Sequence, residues 1–310
     1  MKESLFLKDE AVLAMEEHVM EKYRRAGQIL AEVLAEARPK VESGAKLLDV
    51  AGFVEETIRS KGGLPAFPCN ISLDRNAAHY TPSPQDALCF SENMVKLDVG
   101  VHVDGYVADA AITVDLSGHD LLCEASRAAL EAALEVVGPG VSTARIGEVI
   151  EETIRGYGYR PVANLTGHGL SLYQAHDEPA VPNIGRVRGT ILNPGDVIAI
   201  EPFATDGSGR ISEGPVCEIY GLSGPRPVRL AAARSLMRQI EKSYRTLPFA
   251  RRWLAGERVE YALMQLLRGG VVHSYPVLWE AEGALVSQAE HTVVITESGS
   301  EVITRPGGRA

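Results

Sequence analysis

The stretch MVKLDVGVHVDGYVADAAITV, residues 94–114, constrains this chain more than any other. It reads as two apolar strands joined at Asp104-Gly105, a pair that tolerates the positive φ of a tight hairpin loop. Val95, Leu97, Val99 and Val101 lead into the turn, and Val107, Ile112 and Val114 follow it. Two acids, Asp98 and Asp109, interrupt this apolar ladder. A turn centred on Asp104-Gly105 pairs residue 98 with residue 111, and residue 109 shares the face of 111. A turn centred one residue earlier sets 98 opposite 109, so in either register both carboxylates leave one face of the hairpin. Like charges in apolar surroundings repel, and burial strengthens the repulsion. Either the acids reach solvent or a basic partner, or a cation lies between them. The second reading requires further ligands from the rest of the chain.

A chain of 310 residues can bury a large core, and its 23% charged and 45% hydrophobic content is that of a soluble globular protein. The net charge of −10 argues against nucleic acid or an anionic membrane as the main partner. Cys69, Cys89, Cys123 and Cys217 show no CxxC spacing, which fits free thiols in a reducing compartment. No stretch reaches about 18 uninterrupted apolar residues, and the N-terminus has no secretory apolar core. The expectation is a cytoplasmic protein without a membrane partner.

Asp9 reads as an N-cap for one or two amphipathic helical segments that end at Pro39. A second helix is expected over about 45–60, stopped by Gly62-Gly63, and a short strand at Asn70-Ile71-Ser72 precedes a loop carrying His79. Beyond the hairpin, helices are expected over about 119–137 and, behind a Ser142 cap, from Thr143 to Arg155. The chain then repeats itself. VEETIR at 54–59 returns as IEETIR at 150–155, and Asn70-Ile71-Ser72 as Asn164-Leu165-Thr166. His79 answers to His176, Leu97-Asp98 to Ile200-Glu201, and Asp104-Gly105 to Asp206-Gly207, all at offsets of 94–103 residues. Five matches in one order imply two related halves, each of helices followed by a hairpin, about a pseudo-twofold axis.

The second half supplies the missing ligands. His168 stands between Gly167 and Gly169, where backbones can approach closely, and His176 follows eight residues on. Glu201 and Glu290 interrupt the apolar runs VIAI and TVVI, as the aspartates do. His18, His102, His119, His273 and His291 read as ordinary core or surface histidines. Four carboxylates and one histidine in apolar strands suit a pair of divalent ions better than one structural zinc. Two such ions bridged by hydroxide are a common arrangement for amide hydrolysis.

AAHYTP around His79, KLDVGVHVDGYVADAAITV, NLTGHGLSLYQAH, AIEPFATDGSG and SQAEHTVVI stand in one order along nearly the whole chain. In these motifs the chain resembles the methionine aminopeptidases of peptidase family M24. The resemblance implies the α/β pita-bread fold, an antiparallel sheet covered by helices with internal pseudo-twofold symmetry. It implies Asp98, Asp109, His168, Glu201 and Glu290 as metal ligands for two divalent ions (Co, Mn, Fe or Zn). It implies His79 and His176 as substrate-contacting histidines, and Phe67 and Tyr275 as walls of a methionine pocket. Glu290 follows Glu201 at an offset of 89 residues, and the chain between them includes helical-looking sequence at about 229–270. A helical insertion there, with AFPCNIS and HSYPVL, resembles the type II enzymes shared by eukaryotes and archaea. The whole of 1–310 is then one catalytic domain with an inserted subdomain. Ile219 departs from the histidine of some type II members.

The mechanism so implied is attack of a metal-activated hydroxide on the carbonyl carbon of an N-terminal methionine. Glu201 serves as general base, His176 binds the carbonyl oxygen, and His79 contacts the scissile nitrogen. The implied substrate is a peptide or nascent-protein N-terminus with a small second residue. The ribosome is a candidate partner, and a monomer is expected. Two alternatives share the fold: an X-Pro dipeptidase or aminopeptidase, which usually carries an extra N-terminal domain, and a non-enzymatic binding protein, which loses ligands and gains basic tails.

Overall fold

The computed structural model describes residues 2–305 except 225 and 257, with side chains described from residue 17 onward. The hairpin forms as expected. Met94–Val103 pairs antiparallel with Tyr106–Asp115, Val103 opposite Tyr106 and Asp98 opposite Ala111. Both turn residues take positive φ, +52° at Asp104 and +94° at Gly105. Asn70–Leu73 and Leu64–Pro65 complete this sheet by pairing with Met94–Val103.

Two helices cover the hairpin. α1 runs Lys2–Ala37 and α2 runs Leu47–Ser60. α1 is one continuous helix that begins before Asp9, so Asp9 lies within it and does not cap it. Ile29, Leu30, Val33, Val54 and Ile58 are buried in one core with Leu97, Val99 and Val101 of the hairpin.

The second half repeats this layering. α3 is Asp120–Val136 and α4 is Thr143–Gly156, the latter capped by the Ser142 hydroxyl accepting from the Ala144 N–H. Ile146, Ile150 and Ile154 recur at helical spacing on α4 and are buried with Ile198, Ile200, Val293 and Ile295. Those last residues belong to a five-stranded sheet ordered Gly299–Val302, His291–Thr296, Val197–Ile200, Thr166–Ser171, Gln174–Pro182. The second half departs from expectation in one respect. Asp206-Gly207 does not turn a hairpin for the Glu201 strand, because Val197–Ile200 pairs with the distant His291–Thr296, Ile200 opposite His291. Phe203–Thr205 instead pairs with Val286–Gln288 and Arg160–Pro161.

The chain between these partners forms a third packing centre. α5 (Ala231–Ser243) and α6 (Val259–Arg268) bury Leu236, Ile240, Leu263 and Leu266 against Tyr220, Phe249 and Val272. Their substrate is a small sheet in which Ile219–Leu222 pairs with Phe249–Ala250 and Val272–Tyr275.

Candidate active site

The two large sheets meet along a seam of short bonds between the hairpin and residues 288–292. The Glu290 N–H donates to the Ala111 carbonyl at 3.0 Å, and the Asp109 N–H to the Thr292 hydroxyl at 2.7 Å. The Thr113 hydroxyl donates to the Gln288 carbonyl at 2.7 Å. These contacts set the Asp98–Asp109 face against Glu290. A cavity of about 280 Å³ opens there, and Asp98, Asp109, His168, Glu201, Glu290, His79, His176, Phe67 and Tyr275 all line it. The five histidines expected to be ordinary residues are absent from its lining.

The glycines around His168 have a geometric cause. A Cβ on Gly167 would lie 2.2 Å from the Ala199 carbonyl oxygen, and one on Gly169 would lie 2.0 Å from that of Glu178. Only glycine lets the His168 strand sit this close to both neighbours. His168 Nδ1 lies 3.2 Å from the Gly169 carbonyl, which can only accept, so Nδ1 carries the proton and Nε2 presents its lone pair. Nε2 lies 3.6 Å from Glu201 Oε1 and 3.8 Å from Asp109 Oδ2, too far for hydrogen bonds. Two ligands each about 2.1 Å from one ion, at a tetrahedral angle, lie roughly 3.4 Å apart, close to this spacing. Ligand atoms of Asp109, His168 and Glu290 fall within 4.8 Å of one another.

Hydrogen bonding leaves the same gap. Asp98 Oδ1, Asp109 Oδ1 and Glu290 Oε1 are buried without a partner among the described residues. Uncompensated buried oxygens of this kind are costly unless a cation or proton satisfies them. Burial, followed by hydrogen bonds that partly offset it, leaves the Asp98 pKa raised to about 7. Burial first, and then neighbouring carboxylates, holds Asp109, Glu201 and Glu290 well above the usual range. Burial also lowers His168 to about 4, so the imidazole is neutral and free to ligate. The donor set therefore fits divalent cations: hard oxygens, one nitrogen, and buried oxygens lacking partners.

The wall is aromatic and imidazole. His79 sits at φ +67°, a left-handed conformation uncommon outside glycine, with its Nδ1 3.3 Å from the Pro276 carbonyl. Its Nε2 is thus the unprotonated nitrogen, and burial lowers its pKa to about 4. The Tyr275 ring packs edge-on to His79 at 5.7 Å and stacks on His176 at 6.2 Å. His176 is exposed to the cavity yet deep in the fold, and burial lowers its pKa well below the ordinary value. Phe67 occupies the space a side chain on Gly100 would need, since a Cβ there would fall 2.3 Å from its ring. Ile219 lines the cavity and stands opposite Tyr275 in the small sheet.

Sequence reasoning missed two amides beside the acids. Asn70 Nδ2 donates to Asp98 at 3.4 Å, and Gln288 Nε2 donates to Glu201 at 3.4 Å and Glu290 at 3.3 Å. Gln288 carried a signal, because it stands two residues before Glu290 and therefore on its face.

Comparison with known proteins places the chain in a family. The model of metallopeptidase family M24 matches residues 21–235. The chain belongs to metallopeptidase family M24. It is 48% identical over 292 residues to a methionine aminopeptidase of Archaeoglobus fulgidus, covering 94% of this chain and 100% of that protein. Among solved structures, a thermophilic Arx1 matches with TM-score 0.84 at 21% identity, over 94% of this chain and 92% of that one. A methionine aminopeptidase of Thermotoga maritima matches with TM-score 0.68 at 22% identity, over 92% and 96%. Both structures share the pita-bread fold with this chain.

Proposed function

We propose that this family M24 peptidase removes the N-terminal methionine from peptides and nascent proteins whose second residue is small. The observation that carries the reading is the buried cluster of partnerless carboxylate oxygens on the floor of a cavity walled by two neutral histidines. Near-full-length identity to a protein named methionine aminopeptidase selects this activity over the X-Pro peptidases of the same fold.

Asp98, Asp109, His168, Glu201 and Glu290 would hold two divalent ions, with manganese, iron, cobalt and zinc all compatible with the donors. When bound, the ions supply Lewis acidity and lower the pKa of water toward neutrality. Glu201, whose proton affinity burial raises, accepts the proton lost by the attacking water. His176 donates an N–H to the carbonyl oxygen as charge develops there. His79, held through Nδ1 by Pro276, turns Nε2 toward the scissile N–H and orients the leaving amine. Phe67 and Tyr275 enclose the methionine side chain. The 1–310 chain acts as one catalytic domain, with 229–270 as the helical insertion of the type II enzymes, working in the cytoplasm as a monomer.

The test is turnover of Met-Ala-Ser and Ala-Pro-Ala by metal-stripped protein with Mn²⁺ or Co²⁺ restored. Metal-dependent release of methionine from the first alone is expected. Cleavage of the second alone would move the activity to the X-Pro class.

A further inference from the structure

The walls of the cavity come from two bodies. Phe67 belongs to the first half, whereas Ile219, Pro248 and Tyr275 belong to the third packing centre and its small sheet. The bodies meet along two edges. At the Tyr275 edge the backbone joins them: Leu278 pairs with Ala78, and the Pro276 carbonyl lies 3.3 Å from His79 Nδ1. At the Pro248 edge Phe249–Ala250 pairs with Ile219–Leu222 and with no strand of the first half among the described residues. Leu247 packs into the first core there, a contact without directional preference.

Directional bonds at this edge come from Arg252 and Trp253. The Arg252 guanidinium donates to the Glu55 carboxylate on α2, to the Thr81 hydroxyl at 2.7 Å and to the Pro82 carbonyl at 3.1 Å. The Trp253 indole N–H donates to the other Glu55 oxygen at 2.7 Å. The Cys69 N–H donates to Glu55 at 3.2 Å, and the Thr81 hydroxyl to the Cys69 carbonyl at 2.7 Å. The Arg252 and Glu55 side chains are 8% and 7% exposed, the most enclosed Lys or Arg ion pair among the described residues. The path from this pair to each wall is short. Cys69 stands two residues after Phe67, and Arg252 two residues after Ala250, which pairs with Ile219. Neither Glu55 nor Arg252 lines the cavity itself.

A buried ion pair adds little net stability compared with apolar groups of the same shape. It does supply a planar, charge-assisted fork of fixed geometry. We propose that Arg252 and Glu55 are specificity-determining positioning residues, whose pair sets the separation of the two walls and hence the length of first side chain the site accepts. This rests on the proposed function, which places a methionine side chain between these walls. Without the pair, the Pro248 edge is left mainly to apolar packing, and the Ile219 wall can draw away from Phe67. A longer side chain then fits, and methionine loses contact.

The test compares Met-Ala-Ser with the same peptide carrying ethionine, one methylene longer, in place of methionine, using the intact, metal-loaded protein and two variants. Glu55→Gln/Arg252→Met removes both charges together, so neither is left buried alone. Arg252→Lys keeps the charge and loses the fork. One methylene in a close-fitting pocket is worth about 10–200-fold in kcat/KM, so the parent should prefer methionine by at least about 10-fold. The double variant should bring that ratio to within about 2-fold of unity, chiefly through KM and with metal content unchanged, and Arg252→Lys should fall between. Loss of folded protein cannot move the ratio, because both peptides report on the same active molecules. Methionine release by the parent with the same ratio in parent and double variant would overturn the proposal alone and leave the pair a structural role. Cleavage of neither peptide by the parent would overturn it together with the peptidase reading.

Discussion

Loading the carboxylate cluster with cations must displace protons, and the pH dependence of their number follows from the site. In metal-free protein Asp98, with its pKa raised to about 7, is about nine-tenths protonated at pH 6 and about one-tenth at pH 8. Burial first, and then neighbouring carboxylates, raises Asp109, Glu201 and Glu290 well above the usual carboxylate range too. His168, lowered to about 4, is already neutral at both pH values and releases nothing. A metal ligand must be ionised, so binding expels the protons these groups hold. Release should be at least about one proton per chain at pH 6, and the Asp98 share should fall by about 0.8 between pH 6 and pH 8. The sign follows directly: protons compete with metal, so affinity rises with pH, by about 10-fold per unit or more near pH 6. Titration calorimetry of Mn²⁺ into chelator-stripped protein, in buffers of different ionisation heat, counts the protons. Fewer than one proton released at pH 6 would refute the argument that these carboxylates are protonated ligands of the ions.

Asp109→Ala should abolish metal binding and turnover together; stoichiometric two-metal binding by this variant, measured by elemental analysis, would remove Asp109 from the ligand set. His79→Asn, which tolerates the left-handed backbone at φ +67°, should keep both metals and lose about 10²–10⁴-fold in kcat. Gly100→Ala should push the Phe67 ring into the cavity at a cost of about 1–3 kcal/mol, raising KM for methionyl peptides with metal content unchanged.

The first half was legible because its logic is local. Alternating apolar residues and an Asp-Gly turn gave the hairpin and the shared face of its two acids without reference to the rest of the chain, in either of two registers, of which the structure adopts the one with Asp98 opposite Ala111. The second half was not, because the Glu201 and Glu290 strands find each other across an offset of 89 residues that contains another packing centre. Repeat matching transferred the first hairpin turn onto Asp206-Gly207, where tertiary pairing with Val286–Gln288 prevails. The start of α1 was misplaced because Asp9 has the chemistry of a cap wherever it stands, and the helix continues through it. At the site, every side chain singled out by residue type reached the same cavity, since charge in an apolar strand is a strong signal. Asn70 and Gln288 gave a weaker one, because a neutral amide in a strand carries no comparable penalty.

The dependence of catalysis on the carboxylate-held ions is measured by titrating Mn²⁺ into metal-free protein while following bound metal and methionine release from Met-Ala-Ser together. No release is expected from the stripped chain, and activity should climb with occupancy and stop climbing by two ions per chain. Full turnover in the presence of excess chelator, with no metal bound, would contradict it.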